Sequence, residues 1–255
     1  MSLIALTREI SSDIGACELT HLSRVPIDLV RARAQHQEYE RALAEAGCEV
    51  ERLAAAPEMP DSVFIEDIAL VFGELAVITR PGASSRRVET VAVADAIAAY
   101  RPTMSIEAPA TIDGGDVLTV GKRVFVGESS RTNAAATSQL ARYLAPHGYT
   151  VHIVPVRGCL HLKSAVTAVS DDTILINPEW VPAEVFRPLM LLEVHPAEAN
   201  GANALLVGAS VIYPTAFPRT CARLEARGFR VSQVEVTEIA KAEGAVTCCS
   251  LIFEA

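Results

Sequence analysis

The sequence has no surplus of positive charge. Lysine and arginine number 22 against 31 aspartates and glutamates, a formal net charge of −9. Nucleic acid and anionic membrane surfaces are recruited by clustered Lys and Arg, so neither is expected as the main partner. No run of about 18 apolar residues is present to span a bilayer. The opening MSLIALTREISSD lacks the charged-then-apolar profile of a secretion signal, and a cytoplasmic location is expected. The six cysteines, at 17, 48, 159, 221, 248 and 249, form no C-x-x-C pair. That excludes both a zinc site and a secreted disulfide framework as readings of the cysteine pattern. No G-x-G-x-x-G opens a helix and no Walker A motif occurs, so nothing indicates a dinucleotide or a nucleoside triphosphate. Nor does a low-complexity or Pro/Gly/Ser-rich linker divide the chain, and residues 1–255 read as one domain.

What is present is apolar and periodic. Half of the 255 residues are hydrophobic by type, enough for a full core. Short Val/Ile/Leu runs alternate with amphipathic helical segments, the pattern of an α/β protein. A polar leader followed by an apolar strand, a turn and a second apolar strand recurs in FIEDIALVFGELAVITR, IDGGDVLTVGKRVFVG, HLKSAVTAVSDDTILIN, GANALLVGASVIYP and TCCSLIFEA. The leaders stand about 40–50 residues apart, the mark of a repeated supersecondary unit. Helices are expected between the hairpins, in PIDLVRARAQHQEYERALAEAG, SRRVETVAVADAIAAYR, SRTNAAATSQLARYLAPHG and RTCARLEARG, with further strands in CEVERLA, YTVHIVPV and RVSQVEV. LIALTRE is the natural strand to complete the last unit and close a ring.

Around a pseudo-fivefold axis, equivalent leader positions converge. They are Asp67, Asp113 or Asp116, His161, Asn203 and Cys248. Taken alone, Cys248 is more often a packed thiol than a nucleophile. Its place at the start of an apolar strand, beside ionisable leaders, suits a nucleophile, and Cys249 on the opposite face of the strand would be its buried neighbour. His161 is the histidine at a leader position, with an unperturbed pKa of about 6.5 suited to proton transfer. Asp116 follows two glycines and reads equally well as a turn cap. Asp61, Glu66, Asp67 and Asp113 are too many acids for capping alone. A guanidinium, planar and rich in N–H donors, is the cation that carboxylates match best. The arginines of RPGASSRRVE and ESSRTN are either solvated helix starts or, aimed into an acidic site, receivers of a substrate carboxylate.

In this order and spacing FIED, RPGASSRR, DGGDVL, SRTN, HLKS and TCCS resemble the dimethylarginine dimethylaminohydrolases, within the guanidino-group-modifying or pentein superfamily, over essentially the whole chain. The resemblance implies the pentein fold, a five-bladed α/β propeller of ββαβ repeats. It implies hydrolysis of mono- or dimethylated L-arginine to citrulline and methylamine or dimethylamine through a covalent thiouronium, with neither metal nor cofactor. Cys248 matches the family's thiolate, His161 its general acid and base, and Asp113 the carboxylate that orients the histidine. Glu66 and Asp67 match the guanidinium-binding acids and Phe64 the ring on the alkyl stem. Asp61 matches the acid near the substrate's amino end, and Arg86 and Arg131 the carboxylate binders. Leu19 matches a lid contact and Ala242 a carbonyl that accepts from the α-amino group. Lys163 stands where the similar arginine deiminases carry an acid, which implies room for methyl groups. Other readings stay open: arginine, another guanidine or the citrulline ureido group as substrate on the same fold, a catalytically inactive pentein that binds a partner, or a thiol amidase of unrelated fold. Oligomeric state is open as well, a homodimer included.

Overall fold

The computed structural model describes residues 2–255; Met1, part of the expected 1–255 extent, lies outside the described residues. The chain begins with β1 (Leu3–Arg8), crosses over through α1 (Leu29–Glu45), and returns as β2 (Cys48–Leu53). Asp28 sets the start of α1 by accepting from the N–H groups of Val30 and Arg31, so the helix begins three residues after Pro26. Gly47, at φ +103°, ends it in the left-handed region that glycine tolerates.

Four further units follow. The first comprises β3 (Ala69–Val71), β4 (Ala76–Ile78), α2 (Thr90–Ala98) and β5 (Thr103–Ser105). The next holds β6 (Val117–Val120), β7 (Arg123–Glu128), α3 (Ala134–Leu144) and β8 (Thr150–Pro155). The short α4 (Leu162–Ala165) leads into β9 (Val166–Ala168), β10 (Thr173–Ile176) and β11 (Met190–Glu193). Here the crossover is only a 3-10 turn at Ala183–Phe186, within a stretch that Pro178, Pro182 and Pro188 keep from forming a longer helix. Then come β12 (Leu205–Val207), β13 (Ser210–Pro214), α5 (Pro218–Ala226) and β14 (Arg230–Val234), followed by α6 (Thr237–Ala240) and β15 (Ser250–Glu254).

The fifteen strands form five separate three-stranded sheets. In each, the central strand pairs antiparallel with one neighbour and parallel with the other. A hairpin supplies the antiparallel pair and a crossover the parallel one. In the sheet that joins the ends of the chain, β15 takes the hairpin position, with Leu3 opposite Glu254 and Thr7 opposite Ser250. The ring expected from LIALTRE is therefore closed. Its interior is divided into five apolar clusters rather than one. Tyr39 and Leu43 of α1, for example, share a cluster with Ile212 of β13 and Val234 of β14, which joins two sheets.

One expectation is corrected. The leaders do not lie on the strands but in tight turns just ahead of them: a 3-10 turn at Ile65–Ile68, another at Gly114–Asp116, α4, and a turn that ends at Cys249 before β15. Cys249 is buried as expected, but because the turn folds it inward and not because of strand alternation. Turn residues lack long cross-strand ladders, so their polar side chains are free to gather at one end of the axis. Among the described residues no helix is long and apolar enough to cross a membrane.

The ring closure carries a buried hydrogen bond, 2.6 Å between the Tyr39 hydroxyl on α1 and Ser250 Oγ at the start of β15. Tyr39→Phe strands that serine and is expected to lower unfolding stability by about 1–2 kcal/mol. Urea denaturation checks this, and an unchanged midpoint would show that the bond contributes nothing to closure.

Candidate active site

The converging turns enclose a small cavity of about 30 Å³, lined by Asp61, Phe64, Asp67, Arg86, Asp113, Arg131, His161, Ala242 and Cys248. Nine residues singled out in the sequence therefore meet in one place. Glu18, Leu160, Glu243 and Gly244 also line it. Each is adjacent in sequence to a flagged residue or to another of these four, but a lone glutamate, leucine or glycine carries no chemical signature of its own.

Cys248 is half-buried, and its Sγ accepts from the Ala245 N–H at 3.4 Å. Burial first, and then the negative charges of Glu66 and Asp67, push its thiol far above the ordinary cysteine value. The free site therefore holds a neutral thiol. Burial likewise pushes the Cys249 thiol well up, with Cys248 and Glu66 adding to the shift.

His161 occupies the position just before α4, where the backbone is still extended. Its Nε2 lies 3.2 Å from Asp113 Oδ2 and its Nδ1 3.9 Å from Asp67 Oδ1. Burial disfavours the imidazolium, but Asp67, the Asp113 hydrogen bond and the charge of Asp116 outweigh it, and the pKa is pushed up to about 9. With both ring nitrogens facing carboxylates, the imidazole carries two protons near neutral pH. Asp113 is fixed by the Gly82 N–H, 2.8 Å from Oδ1. Asp116 has a different task. It accepts from Leu162 N at 2.9 Å and from the hydroxyls of Ser129 and Thr132, capping α4 and thereby setting the entry of His161. Gly115 completes the arrangement: a Cβ there would lie 2.6 Å from His161 Nδ1 and 2.9 Å from Asp67 Oδ1.

Asp67 accepts from Gly115 N at 2.9 Å and from Arg86 Nη1 at 2.5 Å. Although burial opposes ionisation, His161 and Arg86 hold its carboxyl below the usual value. Arg86 is itself buried, and it donates to both oxygens of Glu89 and to the carbonyls of Asp61 and Phe64. One Nη1 hydrogen is left without a partner among the described residues. Arg131 is half-buried, with Nη2 on Thr20 Oγ1 at 3.0 Å. Asp61 uses both carboxylate oxygens to accept the Glu18 N–H, at 3.1 and 3.2 Å.

Two expected site residues lie elsewhere. Glu66 was grouped with Asp67 as a guanidinium-binding acid, but its carboxylate accepts from Lys163 Nζ at 2.7 Å and Thr247 Oγ1 at 2.8 Å. It lines a different cavity, of about 280 Å³, together with Lys163 and Thr247. Consecutive residues of a 3-10 turn point about 120° apart, and Glu66 and Asp67 line different cavities. Lys163 is drawn the same way and does not line the cavity beside Cys248. Leu19 is half-buried against the apolar cluster around Ile14 and Cys17 and does not line the cavity. Asn203 exchanges hydrogen bonds with Thr247 at 3.0 and 3.1 Å, steadying the turn one residue before Cys248.

Asp67, Asp113 and His161 bring three potential metal ligands within 4.8 Å of one another. A protonated imidazole does not ligate, and Asp67 is already engaged by Arg86 and Gly115, so the cluster is built to handle a proton and a cationic ligand.

Comparison with known proteins agrees with this geometry. Residues 55–199 match the family profile described as arginine deiminase. The chain is 36% identical over 228 residues to the N(G),N(G)-dimethylarginine dimethylaminohydrolase of Pseudomonas aeruginosa, covering 89% of this chain and 90% of that protein. It is 39% identical over 249 residues to the one from Streptomyces coelicolor, covering 97% and 95%. The solved Pseudomonas structure of a cysteine-to-serine variant with citrulline superposes at a TM-score of 0.92, with 32% identity, over 99% of this chain and 100% of that one. The N-terminal domain of a cyanobacterial arginine dihydrolase, only 20% identical over 98% of each chain, shares the fold at a TM-score of 0.88. Four ββαβ units and a fifth whose crossover is a 3-10 turn, around an axis on which a cysteine, a histidine and carboxylates meet, define a guanidino-modifying pentein. Within that class the chain belongs to the dimethylarginine dimethylaminohydrolase family.

Two outcomes follow from the electrostatics. A histidine whose pKa is raised from 6.5 to about 9 contributes stability that is complete below 6.5 and lost as pH rises through about 9. The stability advantage of the wild type over His161→Asn should accordingly shrink between pH 7 and 10; an advantage that grows instead would contradict the imidazolium. Gly115→Ala should fold but lose most activity, because His161 must move; retention of full kcat would show that the close approach is unimportant.

Proposed function

We propose that the protein hydrolyses Nω-methylated L-arginine to L-citrulline, releasing methylamine or dimethylamine, with Cys248 as the nucleophile. One observation carries the reading: a neutral thiol, an imidazolium held between two carboxylates, and the ionised Asp67 line the same small cavity. Asp67 holds the substrate guanidinium with its central carbon facing Cys248, Phe64 lies along the alkyl stem, and Asp61 with the Ala242 carbonyl receives the α-amino group. Arg131 and the free Arg86 N–H receive the carboxylate. The bound cation offsets the negative charge that keeps the thiol protonated, so Cys248 ionises when substrate arrives, releasing its proton to solvent. The thiolate adds to the guanidinium carbon. His161 gives its proton to the methylated nitrogen, the C–N bond breaks, and a thiouronium remains on Cys248. The neutral imidazole then takes a proton from water as the water oxygen adds to the same carbon. Collapse breaks the C–S bond and forms the ureido C=O of citrulline, and the departing sulfur takes up the proton of the adduct's hydroxyl, which restores the neutral thiol. Asp113 keeps the ring oriented through both half-reactions.

We read residues 1–255 as one domain that acts in the cytoplasm on a free small molecule. Arginine itself is the rival substrate. It is disfavoured because Lys163, in place of the acid, is turned away and paired with Glu66, so nothing from that position holds the unsubstituted nitrogen.

Four outcomes test this reading. Purified protein given mono- and dimethylarginine, arginine and simple guanidines should release methylamine or dimethylamine faster than it releases ammonia from arginine. A larger kcat/KM for arginine would overturn the assignment, and Cys248→Ser should abolish turnover while Cys249→Ser keeps it. In the free enzyme, alkylation of Cys248 by iodoacetamide should show an apparent pKa at or above about 8.5, falling when an unreactive guanidine binds. A free-enzyme value well below about 7 would mean that an ion pair exists before substrate arrives. Arg131→Ala should weaken the use of methylated arginine by about 1.5–3 kcal/mol and leave an alkylguanidine without a carboxylate nearly untouched; equal losses would make Arg131 structural.

A further inference from the structure

Ile14 and Cys17 anchor the start of segment 13–25 in the core, Glu18 lines the active-site cavity, and beyond it much of the polar attachment falls on one side chain. The Glu243 carboxylate accepts from three consecutive backbone N–H groups: Thr20 at 3.1 and 3.0 Å, His21 at 2.5 Å and Leu22 at 2.6 Å. Two more ties, Glu18 N–H to Asp61 and Arg131 to Thr20, also end on residues that line the cavity. With all of them made, the cavity of about 30 Å³ has room for only a water or two. An amino acid does not fit that space, so part of the wall has to move for one to bind, and residues 18–25, held by these polar ties beyond the buried Cys17, are the candidate lid.

The backbone at Glu243 is equally specific. Its φ of +59° makes it the non-glycine residue with positive φ among the described residues. That conformation is unfavourable for a residue with a Cβ and persists where surrounding contacts over-determine it. Here the contacts are the three lid amides. Glu243 also stands between Ala242 and Gly244, which line the cavity as well. Gly244 allows this tight path, since a Cβ there would lie 2.2 Å from Phe64 Cε1. The peptide that carries the Ala242 carbonyl thus leads directly into the residue that grips the lid.

We propose that Glu243 is the latch of this lid, a positioning residue that couples closure to recognition of the substrate's α-amino group. The coupling rests on the function proposed above. Because φ of residue 243 fixes the direction of the Ala242 carbonyl, an α-amino group bound there stabilises the same backbone conformation that aims the carboxylate at residues 20–22. A guanidine without an α-amino group does not exert this pull. A carboxylate is suited to the task because it is an acceptor at every lone pair, whereas a glutamine would turn N–H groups toward N–H groups.

The test uses the full chain with Glu243→Ala, Glu243→Gln and Glu243→Gly. Backbone hydrogen exchange at Thr20, His21 and Leu22 in Glu243→Ala should quicken by about tenfold or more, as expected for lost charge-assisted hydrogen bonds, and iodoacetamide should reach Cys248 correspondingly faster. KM for methylated arginine should rise more than kcat falls, and the preference over a guanidine lacking the α-amino group should shrink. Glu243→Gly, which relieves the left-handed strain, should match the alanine variant in all of these without a lower unfolding midpoint. Glu243→Gln should fall between wild type and alanine, and it decides the matter if the alanine variant does not fold. Unchanged exchange and alkylation, or equal KM increases for both guanidines, would overturn the latch. Exchange and alkylation need no turnover, so a wrong substrate assignment would leave those two readouts intact.

Discussion

The ion pair between Asp67 and Arg86 is the contact on which the site depends. Both side chains are buried, and neither charge is tolerable there without the other. Removing one partner of such a pair costs about 3–5 kcal/mol, a large part of the 5–15 kcal/mol that holds a typical domain together. Arg86 also gathers the carbonyls of Asp61 and Phe64 and both oxygens of Glu89, so one guanidinium draws the FIED turn toward the 3-10 helix at Ser84–Glu89. With Asp67 held ionised in this way, the Gly115 N–H and His161 have a fixed anion to assemble around.

The same arrangement explains why the nucleophile is quiet. Asp61, Asp67, Glu89 and Asp113 gather around Arg86 and the imidazolium of His161, with Arg131 at the edge of the site. A guanidinium is the missing charge. It makes the thiolate accessible and is at the same time the group to be attacked, so activation and substrate recognition are one electrostatic event. Glu66 belongs to this field from the neighbouring cavity. Its charge lies close enough to raise the Cys248 thiol, while Lys163 on the far side tempers it.

Much of this was readable from the chain. The leaders FIED, DGGD, HLKS and TCCS recur at the spacing of a repeat, and repetition about an axis brings them together whatever the details of each turn. Ring closure was readable too, because the last hairpin lacked a partner that LIALTRE supplies. What the sequence concealed was direction within a turn. Glu66 and Asp67 are identical in kind and adjacent, and only the 3-10 geometry sends one to each side. Asp113 and Asp116 likewise differ by a single turn, yet one holds the imidazole and the other caps α4. Strand alternation predicted the right fate for Cys249 for the wrong reason, since periodicity cannot distinguish the first residue of a strand from the last residue of the turn before it. The latch was hidden for another cause: a positive φ at a glutamate has no signature in composition or spacing.

The pairing of β1 with β15 has a temporal side. The antiparallel partner of the first strand is made last, and contacts between such distant segments are the slowest to form. During synthesis at roughly 5–20 residues per second, four sheets can assemble while β1 and β2 wait for the one strand that completes the fifth. That strand begins two residues after Cys248. The turns that carry His161, Asp113 and Asp67 are made before the thiol, and a chain interrupted before β15 has no closed ring. Completion of the fold and placement of Cys248 beside His161 and Asp67 therefore coincide.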